Sequence, residues 1–377
     1  MTSQKLTLPQ TMKAQFIESF KTAYVLRTVP LPKPSSPYDL LIKVDAASYC
    51  HTDAVLAEGL MPPNPPSFPH IGCHEFAGTI ISVPRSDSSD MTFKVGDRIG
   101  VPGRAFNPCG SCFECLDEKS PDSDPAGYSV FCPNSGNNGL SRAGGFAEYA
   151  VVDARQVAPI PSSMTAVETA PLMCAGVTIY SALKRCELLL GQRIGIVGCG
   201  GGLGHLGLQF ASKMGFKVIG LDSADGALKL ARDLDTGAKI VDVRTEQAEN
   251  IVQEVGKEDE KKESGDMGLD AVIILPESQK AFEYGIQLLK NHGKCVVVSF
   301  PETGFHFSAR DVVFRDISIV GSLVGSNKTL RETLEFAAEH RVRAVVKTFP
   351  LSRLNDLVTE YHNGSGGKLV IDMSLET

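Results

Sequence analysis

Two kinds of residue in this chain have the type and spacing to do chemistry: sulfur and imidazole groups that can grip a metal, and glycines that can cradle a phosphate. Cys109, Cys112 and Cys115 follow one another at CxxCxxC spacing, and Cys132 comes later in the same stretch. Four thiolates around one ion make a closed tetrahedral zinc site, a structural role that orders a lobe with little core of its own. A second constellation is dispersed: Cys50-His51-Thr52-Asp53, then Gly72-Cys73-His74-Glu75, then Cys174 within PLMCAGVTIY. Two thiolates and one imidazole leave a fourth position for water or an alcohol, which is the arrangement of a catalytic zinc. Taken one at a time, each of these residues reads first as an ordinary core residue, and spacing alone does not join them.

The phosphate chemistry lies further on. The apolar run RIGIVG is followed by Gly198-Cys199-Gly200-Gly201-Gly202-Leu203-Gly204 and then by a helical pattern. Glycines there let the backbone approach a pyrophosphate, and the helix N-terminus faces its charge. The register is open, since Gly202-Leu203-Gly204-His205-Leu206-Gly207 also fits GxGxxG literally. Context strengthens the pattern: a strand before, a helix after, and Asp222 closing the next strand. A carboxylate at that place accepts hydrogen bonds from ribose hydroxyls and repels a 2′-phosphate, so the expected coenzyme is NAD.

The elements that must position these groups change texture along the chain. AQFIE, YVLRTV and DLLIKVDAAS alternate apolar and polar, and VGDRIGV and GGFAEYAVVD continue the β character, so roughly the first 160 residues read as β-rich. From RIGIVG onward, strands (KVIGLD, AKIVDV, DAVIIL, KCVVVSF, SIVGS) alternate with helical patterns, which implies βαβ units on a parallel sheet. TLRETLEFAAEHRV reads as an amphipathic helix and GKLVIDM as a last strand, while the charged stretch 254–268 reads as a solvated surface loop.

With 377 residues, the chain is long enough for two compact domains. A net charge of −7 argues against a nucleic-acid partner. No apolar run of about 18 residues suggests a membrane span, and the N-terminal residues lack an apolar signal core. A cytoplasmic location is therefore expected. In such a chain ten cysteines point to metal binding before disulfides.

The order CHTD, GCHEFAG, VGDRIGV, CGSCFEC, GGFAEY, CAGVTIYSALK, glycine turn and Asp-ended strand resembles the zinc-containing medium-chain dehydrogenases, most of all the yeast-type alcohol dehydrogenases. The resemblance runs over roughly residues 12 to 376. It implies an α/β protein with a GroES-like β-rich catalytic domain (1–170), a Rossmann doubly wound parallel-sheet coenzyme domain (171–319), and a C-terminal part (320–377) that returns to the first. It further implies Cys50, His74 and Cys174 as catalytic zinc ligands, with Glu75 able to exchange into the substrate position. Asp53 would orient the ligating histidine from behind, the Thr52 hydroxyl would bond the alcohol oxygen and pass on its proton, and His51 would lie near the coenzyme pyrophosphate.

The implied cofactors are two zinc ions per chain and NAD, the latter held by Gly198, Gly201, Gly202, Leu203, Gly204 and Asp222. The implied partners are a small alcohol or carbonyl substrate and a second or further copies of the chain, in a homodimer or homotetramer built through the coenzyme domain's sheet edge. In the implied reaction the Lewis acid favours the alkoxide of the alcohol, hydride passes to the nicotinamide, and the reverse reduces an aldehyde or ketone.

Several positions depart from the family pattern. Val55 stands where a relay histidine is common, and Cys73 intervenes between Gly72 and His74. Ala227 replaces a frequent lysine, with Lys229 nearby, and the stretch between Cys115 and Cys132 is long, so a bulge is expected at 117–130. The chain has no tryptophan, so a wider substrate pocket is expected, with Arg104 either reaching into it or exposed on a loop. Two other readings stay open. One is a biosynthetic reductase of bulky aldehydes, ketones or imines, NADPH-linked in one version. The other is a zinc-binding protein without catalysis.

Overall fold

The computed structural model describes residues 8–84, 93–103, 106–117, 129–364 and 366–375. Arg104 and most of the expected 117–130 bulge lie outside them. Two large sheets organise the chain, alongside a two-stranded ribbon in which Thr11–Phe16 pairs antiparallel with Val25–Pro30.

The first large sheet has seven strands and is built on Asp39–Tyr49, whose apolar residues are buried along its length because strands flank it on both sides. Its partners are Glu75–Ser82, Tyr149–Asp153 and Lys368–Asp372, all antiparallel. The register does the positioning. Pairing of Ala47 with Phe76 sets Cys50, leaving one strand, beside His74, entering the other. Pairing of Leu369 with Tyr49 brings Lys368 to the same end. Glu75 pairs with Pro102, and the backbone passes so close beyond it that a Cβ on Gly103 would lie 2.1 Å from His74 Cβ.

The second sheet has six strands, in the order Lys239–Asp242, Lys217–Asp222, Arg193–Val197, Leu269–Ile274, Leu289–Val297, Ser318–Gly321, and every pairing is parallel. The runs read as strands in the sequence are these strands. Arg193–Val197 is flanked by the next strand in sequence on one side and by Leu269–Ile274 on the other. The winding therefore reverses there and opens a crevice at the carboxyl ends of the strands.

Helix Ala175–Arg185 is buried along most of its length and packs on helix Gly204–Lys213. Helix Asn327–His340, capped by the Ser326 hydroxyl on the Thr329 amide at 3.0 Å, adds Leu330, Leu334 and Ala337 to the same core. Residues 320–345, expected with the catalytic half, touch both halves: the helix packs on Ala175–Arg185 and on Ala158–Pro159 of the seven-stranded sheet, the Asn327 side chain donates to the Val157 carbonyl at 3.2 Å, and Arg343 pairs with Glu168 at 3.0 Å. As a strand, the chain pairs into the seven-stranded sheet from Val346.

The charged stretch 254–268 is not simply a loop: its first residues end helix Ala248–Glu258, where Ile251 and Val255 are buried one turn apart. Glu258 and Asp259 then pair with the buried Arg193 guanidinium at 2.7 and 2.6 Å, and Lys217 joins Asp259 at 2.8 Å. Among the described residues, no single helix is long and apolar enough to cross a membrane.

The Arg193 hydrogen bonds hold the Asp259 carboxyl well below the usual carboxylate range, against the effect of burial and with help from Lys217. The folded protein thus favours the ionised form more than the unfolded chain does. This contribution is complete above about pH 4 and is lost as pH falls below that. In thermal melts, Asp259→Asn should unfold a few degrees earlier than the wild type at pH 7, with the gap narrowing at pH 3. Coincident melts at both pH values would remove this ion pair from the account.

Candidate active site

Cys50 is the residue before helix His51–Ala57, His74 leads into a strand, and Cys174 precedes helix Ala175–Arg185. Their ligand atoms lie within 4.8 Å of one another. An ion bound at about 2.3 Å sets tetrahedral sulfurs about 3.8 Å apart, so the trio has the span of three tetrahedral ligands. Both ring nitrogens of His74 are buried without a hydrogen-bond partner among the described residues. A buried imidazole in that state costs about 1–3 kcal/mol per unsatisfied group unless something else ligates it. A zinc ion is what this donor set fits.

The electrostatics agree. Cys174 beside it and the positive charges of Lys368 and His74 hold the Cys50 thiol well below its ordinary pKa, while burial opposes them. Burial also opposes a charged His74, but Asp53 and Cys50 outweigh it and raise its pKa. The neighbouring Cys50 thiol, together with burial, pushes the Cys174 thiol up, so without an ion only one of the two sulfurs is favoured as thiolate.

Asp53 is buried and organises the cluster. Its carboxylate accepts the amide hydrogens of Cys50 at 2.9 Å and Cys73 at 3.0 Å, and lies 3.5 Å from His74 Nδ1. The carboxylate therefore fixes the backbone on both sides of the ligand pair while facing one imidazole nitrogen. Cys73 adopts φ +76°, a conformation that favours glycine, and its thiol lies 3.4 Å from the Ser48 carbonyl.

Glu75 is fully buried. Its carboxylate accepts from the Ser48 hydroxyl at 2.8 Å, from the Ala175 amide at 3.3 Å and from the ammonium of the buried Lys368. Burial pushes the Glu75 carboxyl up to about 8, against the pull of Lys368.

A cavity of about 580 Å³ opens onto the cluster, with walls that include Met61, Leu140, Leu275, Val298 and Leu323. Thr52 lines it, with its hydroxyl 3.8 Å from Cys50 Sγ. The hydroxyls of Thr178 and Ser322, residues of the same wall, are buried with no partner among the described residues.

A cleft of about 540 Å³ adjoins this cavity and shares Cys50, His51, Leu203, Leu275 and Pro276 with it. His51 sits at the junction, its Nδ1 2.8 Å from Tyr361 Oη and its Nε2 3.5 Å from Glu277. Gly198, Gly201, Gly202, Leu203, Gly204 and Asp222 all line the cleft. A Cβ on Gly204 would lie 2.1 Å from the Gly198 carbonyl oxygen, so packing of helix on strand demands glycine there, and Gly198 has φ +84°. Gly201 and Gly202 have no such protein neighbour closer than 3.2 Å, which leaves the cleft itself as the reason for their lack of a side chain. Asp222 accepts from the amides of Gly200, Ser223 and Ala224 at 3.0, 2.8 and 3.2 Å. Lys229 is not a cleft residue, since its ammonium pairs with Asp233.

The second cluster gathers Cys109, Cys112, Cys115 and Cys132, again with sulfurs within 4.8 Å of one another. The Cys109 amide points at Cys132 Sγ at 3.3 Å, and Cys112 and Cys132 sulfurs lie 3.9 Å apart, close to a tetrahedral edge. The Asn134 amide and Ser111 pull the Cys109 thiol down to about 5, whereas burial pushes Cys115 up to about 12. One divalent cation is the group that would let all four ionise together.

Sequence reasoning missed the far wall of the cleft: Tyr361, Gly364, Gly366, Gly367 and Lys368. The glycines were the available signal. Gly364, Gly366 and Gly367 all have positive φ, and a Cβ on Gly366 would lie 3.3 Å from the Gly200 carbonyl oxygen across the cleft.

Residues 36–162 match the family described as alcohol dehydrogenase GroES-like domain, and residues 202–339 the one described as zinc-binding dehydrogenase. The chain is 36% identical to an alcohol dehydrogenase of Geobacillus stearothermophilus over 363 residues, covering 96% of this chain and 99% of that one. Among solved structures it is similar to an alcohol dehydrogenase of Aeropyrum pernix, at 28% identity and TM-score 0.78 over 96% of this chain and 99% of that one. It is also similar to a cinnamyl alcohol dehydrogenase of Sorghum bicolor, at 25% identity and TM-score 0.79 over 97% and 99%.

Elemental analysis of the purified protein should find two zinc ions per chain. Cys112→Ser should lose one of them and melt earlier than the wild type. An unchanged metal count in that variant would remove the four-cysteine cluster as a zinc site.

Proposed function

Because this chain belongs to the zinc-containing medium-chain alcohol dehydrogenases, we propose that it exchanges hydride between alcohols and NAD at the Cys50–His74–Cys174 centre. The observation that carries the reading is the meeting of these three ligands on the wall of a cavity continuous with the glycine-lined cleft. Bound there, zinc supplies Lewis acidity toward an alcohol or carbonyl oxygen, and NAD supplies the ring carbon that takes or gives hydride.

The protein's own residues do the rest. Asp53 orients His74, and Lys368 holds Glu75 in reserve behind the ligands. The Thr52 hydroxyl takes the hydrogen bond of the substrate oxygen and carries its proton toward His51 and solvent, where Val55 offers no relay. Apolar cavity walls exclude water from the reacting carbon. Gly201, Gly202 and the start of helix Gly204–Lys213 receive the pyrophosphate, with His51 opposite.

Asp222 favours NAD over NADP. Its carboxylate is aligned by three backbone amides, Ala227 contributes no charge, and Lys229 is turned away to Asp233. Arg244, brought close by the pairing of Asp242 with Asp222, is already engaged by Asp225 and Asp242.

A homo-oligomer through the parallel sheet fits the outer edge of Ser318–Gly321, which has no strand partner among the described residues, and the exposed Val313 and Phe314 beside it. None of the ten cysteines is joined in a disulfide, in keeping with a reducing, cytoplasmic setting. The presence of both cysteine clusters together with a built cavity disfavours a binding protein without catalysis.

The cavity favours a second reading, a reductase of bulky aldehydes, ketones or imines, since about 580 Å³ without tryptophan, walled in part by Met61, Leu140, Val298 and Leu323, leaves room for a ring. Turnover of ethanol against benzyl and cinnamyl alcohols, each with NAD and NADP, separates the two. We expect NAD-linked turnover with the aromatic alcohols at least as fast as with ethanol, while a strong NADP preference would overturn the Asp222 argument. Cys174→Ser should abolish turnover while leaving the circular dichroism spectrum intact; near wild-type rates in that variant would refute the ligand assignment.

A further inference from the structure

His205 is fully buried at the second position of helix Gly204–Lys213. Its Nδ1 lies 2.9 Å from the Gly201 carbonyl oxygen and its Nε2 lies 3.1 Å from the Val345 amide nitrogen. A backbone N–H only donates, so Nε2 accepts from Val345, and the single ring proton sits on Nδ1 and is donated to Gly201. The His205 backbone amide donates to the same carbonyl at 3.1 Å, while the Gly201 amide donates to Gly198 at 3.2 Å. The peptide units on both sides of Gly201 are thus held from within the fold.

The other end of the imidazole reaches across the molecule. The Val345 carbonyl accepts from the Lys368 amide at 2.9 Å, and the Lys368 ammonium reaches the Tyr49 carbonyl at 2.8 Å and Glu75. One turn further along the helix, the Gln209 side chain donates to the Arg343 carbonyl at 2.8 Å and accepts from its amide at 3.1 Å. Hydrogen bonds therefore run from the glycine turn, through the imidazole, to the strand that forms the far wall of the cleft. An apolar residue would leave the Val345 amide without this partner and the Gly201 carbonyl with only the backbone amide of residue 205.

We propose that His205 is a positioning residue for the dinucleotide, its neutral imidazole pinning the glycine turn to the Val345–Lys368 edge and so setting the width of the cleft that receives the pyrophosphate. The inference rests on the reading of that cleft as the coenzyme site. Burial holds the imidazole pKa down to about 4, opposed by the Gly201 hydrogen bond and aided by Lys368, the charged group that faces it. The neutral form is therefore the one present at neutral pH.

Glutamine can imitate that form, with an amide donor for Gly201 and an oxygen acceptor for Val345; leucine keeps similar bulk and neither bond. Binding of ADP-ribose, which lacks the nicotinamide, is measured by calorimetry at pH 7.5 for the zinc-loaded wild type, His205→Gln and His205→Leu, with melting temperatures alongside. The expected result is about tenfold weaker binding for His205→Leu, the worth of roughly one net hydrogen bond. His205→Gln should lie within about twofold of wild type on the same scale. The KM for alcohol at saturating NAD should be unchanged in both. Should the leucine variant fail to fold, His205→Asn, long enough for Gly201 but too short for Val345, carries the same expectation of weaker binding. Equal ADP-ribose affinity in all folded variants overturns the positioning role. A wild type that binds neither ADP-ribose nor NADH brings down the coenzyme reading itself, and this inference with it.

Discussion

The constraint behind the proposed chemistry is the burial of two thiols and an imidazole together, with no hydrogen bond closing either ring nitrogen. His74 is shut away from water with neither ring nitrogen closing a hydrogen bond, its Nδ1 3.5 Å from the buried Asp53 carboxylate and its ring beside a thiol whose ionisation is favoured. Such an arrangement is unfavourable by itself, because each unsatisfied polar group gives up its hydration. It becomes favourable when a cation draws all three donors inward. The same requirement explains the weight of supporting polar contacts behind the cluster: Asp53 on two amides, and Glu75 neutralised by Lys368.

Neither sheet alone can assemble that centre. The seven-stranded sheet supplies Cys50 and His74 through the antiparallel register of two neighbouring strands, whereas Cys174 arrives at the head of a helix that packs on the parallel sheet. The crevice where the parallel sheet reverses its winding lies beside the same centre, so a dinucleotide held by its phosphates on one half extends naturally toward the donors on the other. The late return of the chain at Val346 closes the far side and contributes Lys368 at the same time.

Much of this was legible in the sequence, for reasons that differ by feature. The parallel-sheet strands were readable because buried strands are continuous apolar runs, and the four-cysteine cluster because its members are close in sequence. Cys50, His74 and Cys174 were readable only through resemblance, since a strand register joins the first two, a helix start supplies the third, and no local period links them. The far wall of the cleft escaped for the same reason: Tyr361 and Lys368 gain meaning only when Leu369 pairs with Tyr49. Helix Ala248–Glu258 was hidden beneath its charges, because Glu249, Glu254 and Lys257 alternate with the buried Ala248, Ile251, Val255 and Gly256. His205 looked like one more residue in a helical pattern, and its two bonds depend on a segment that the sequence places far away.

The central claim is the identity and place of the ion. Diffraction from crystals at energies on either side of the zinc absorption edge locates zinc directly. One anomalous peak is expected among Cys50, His74 and Cys174, at about 2.3 Å from the two sulfurs, and a second among the four clustered cysteines. A zinc-replete crystal with a peak at the four cysteines and none at His74 would contradict that claim.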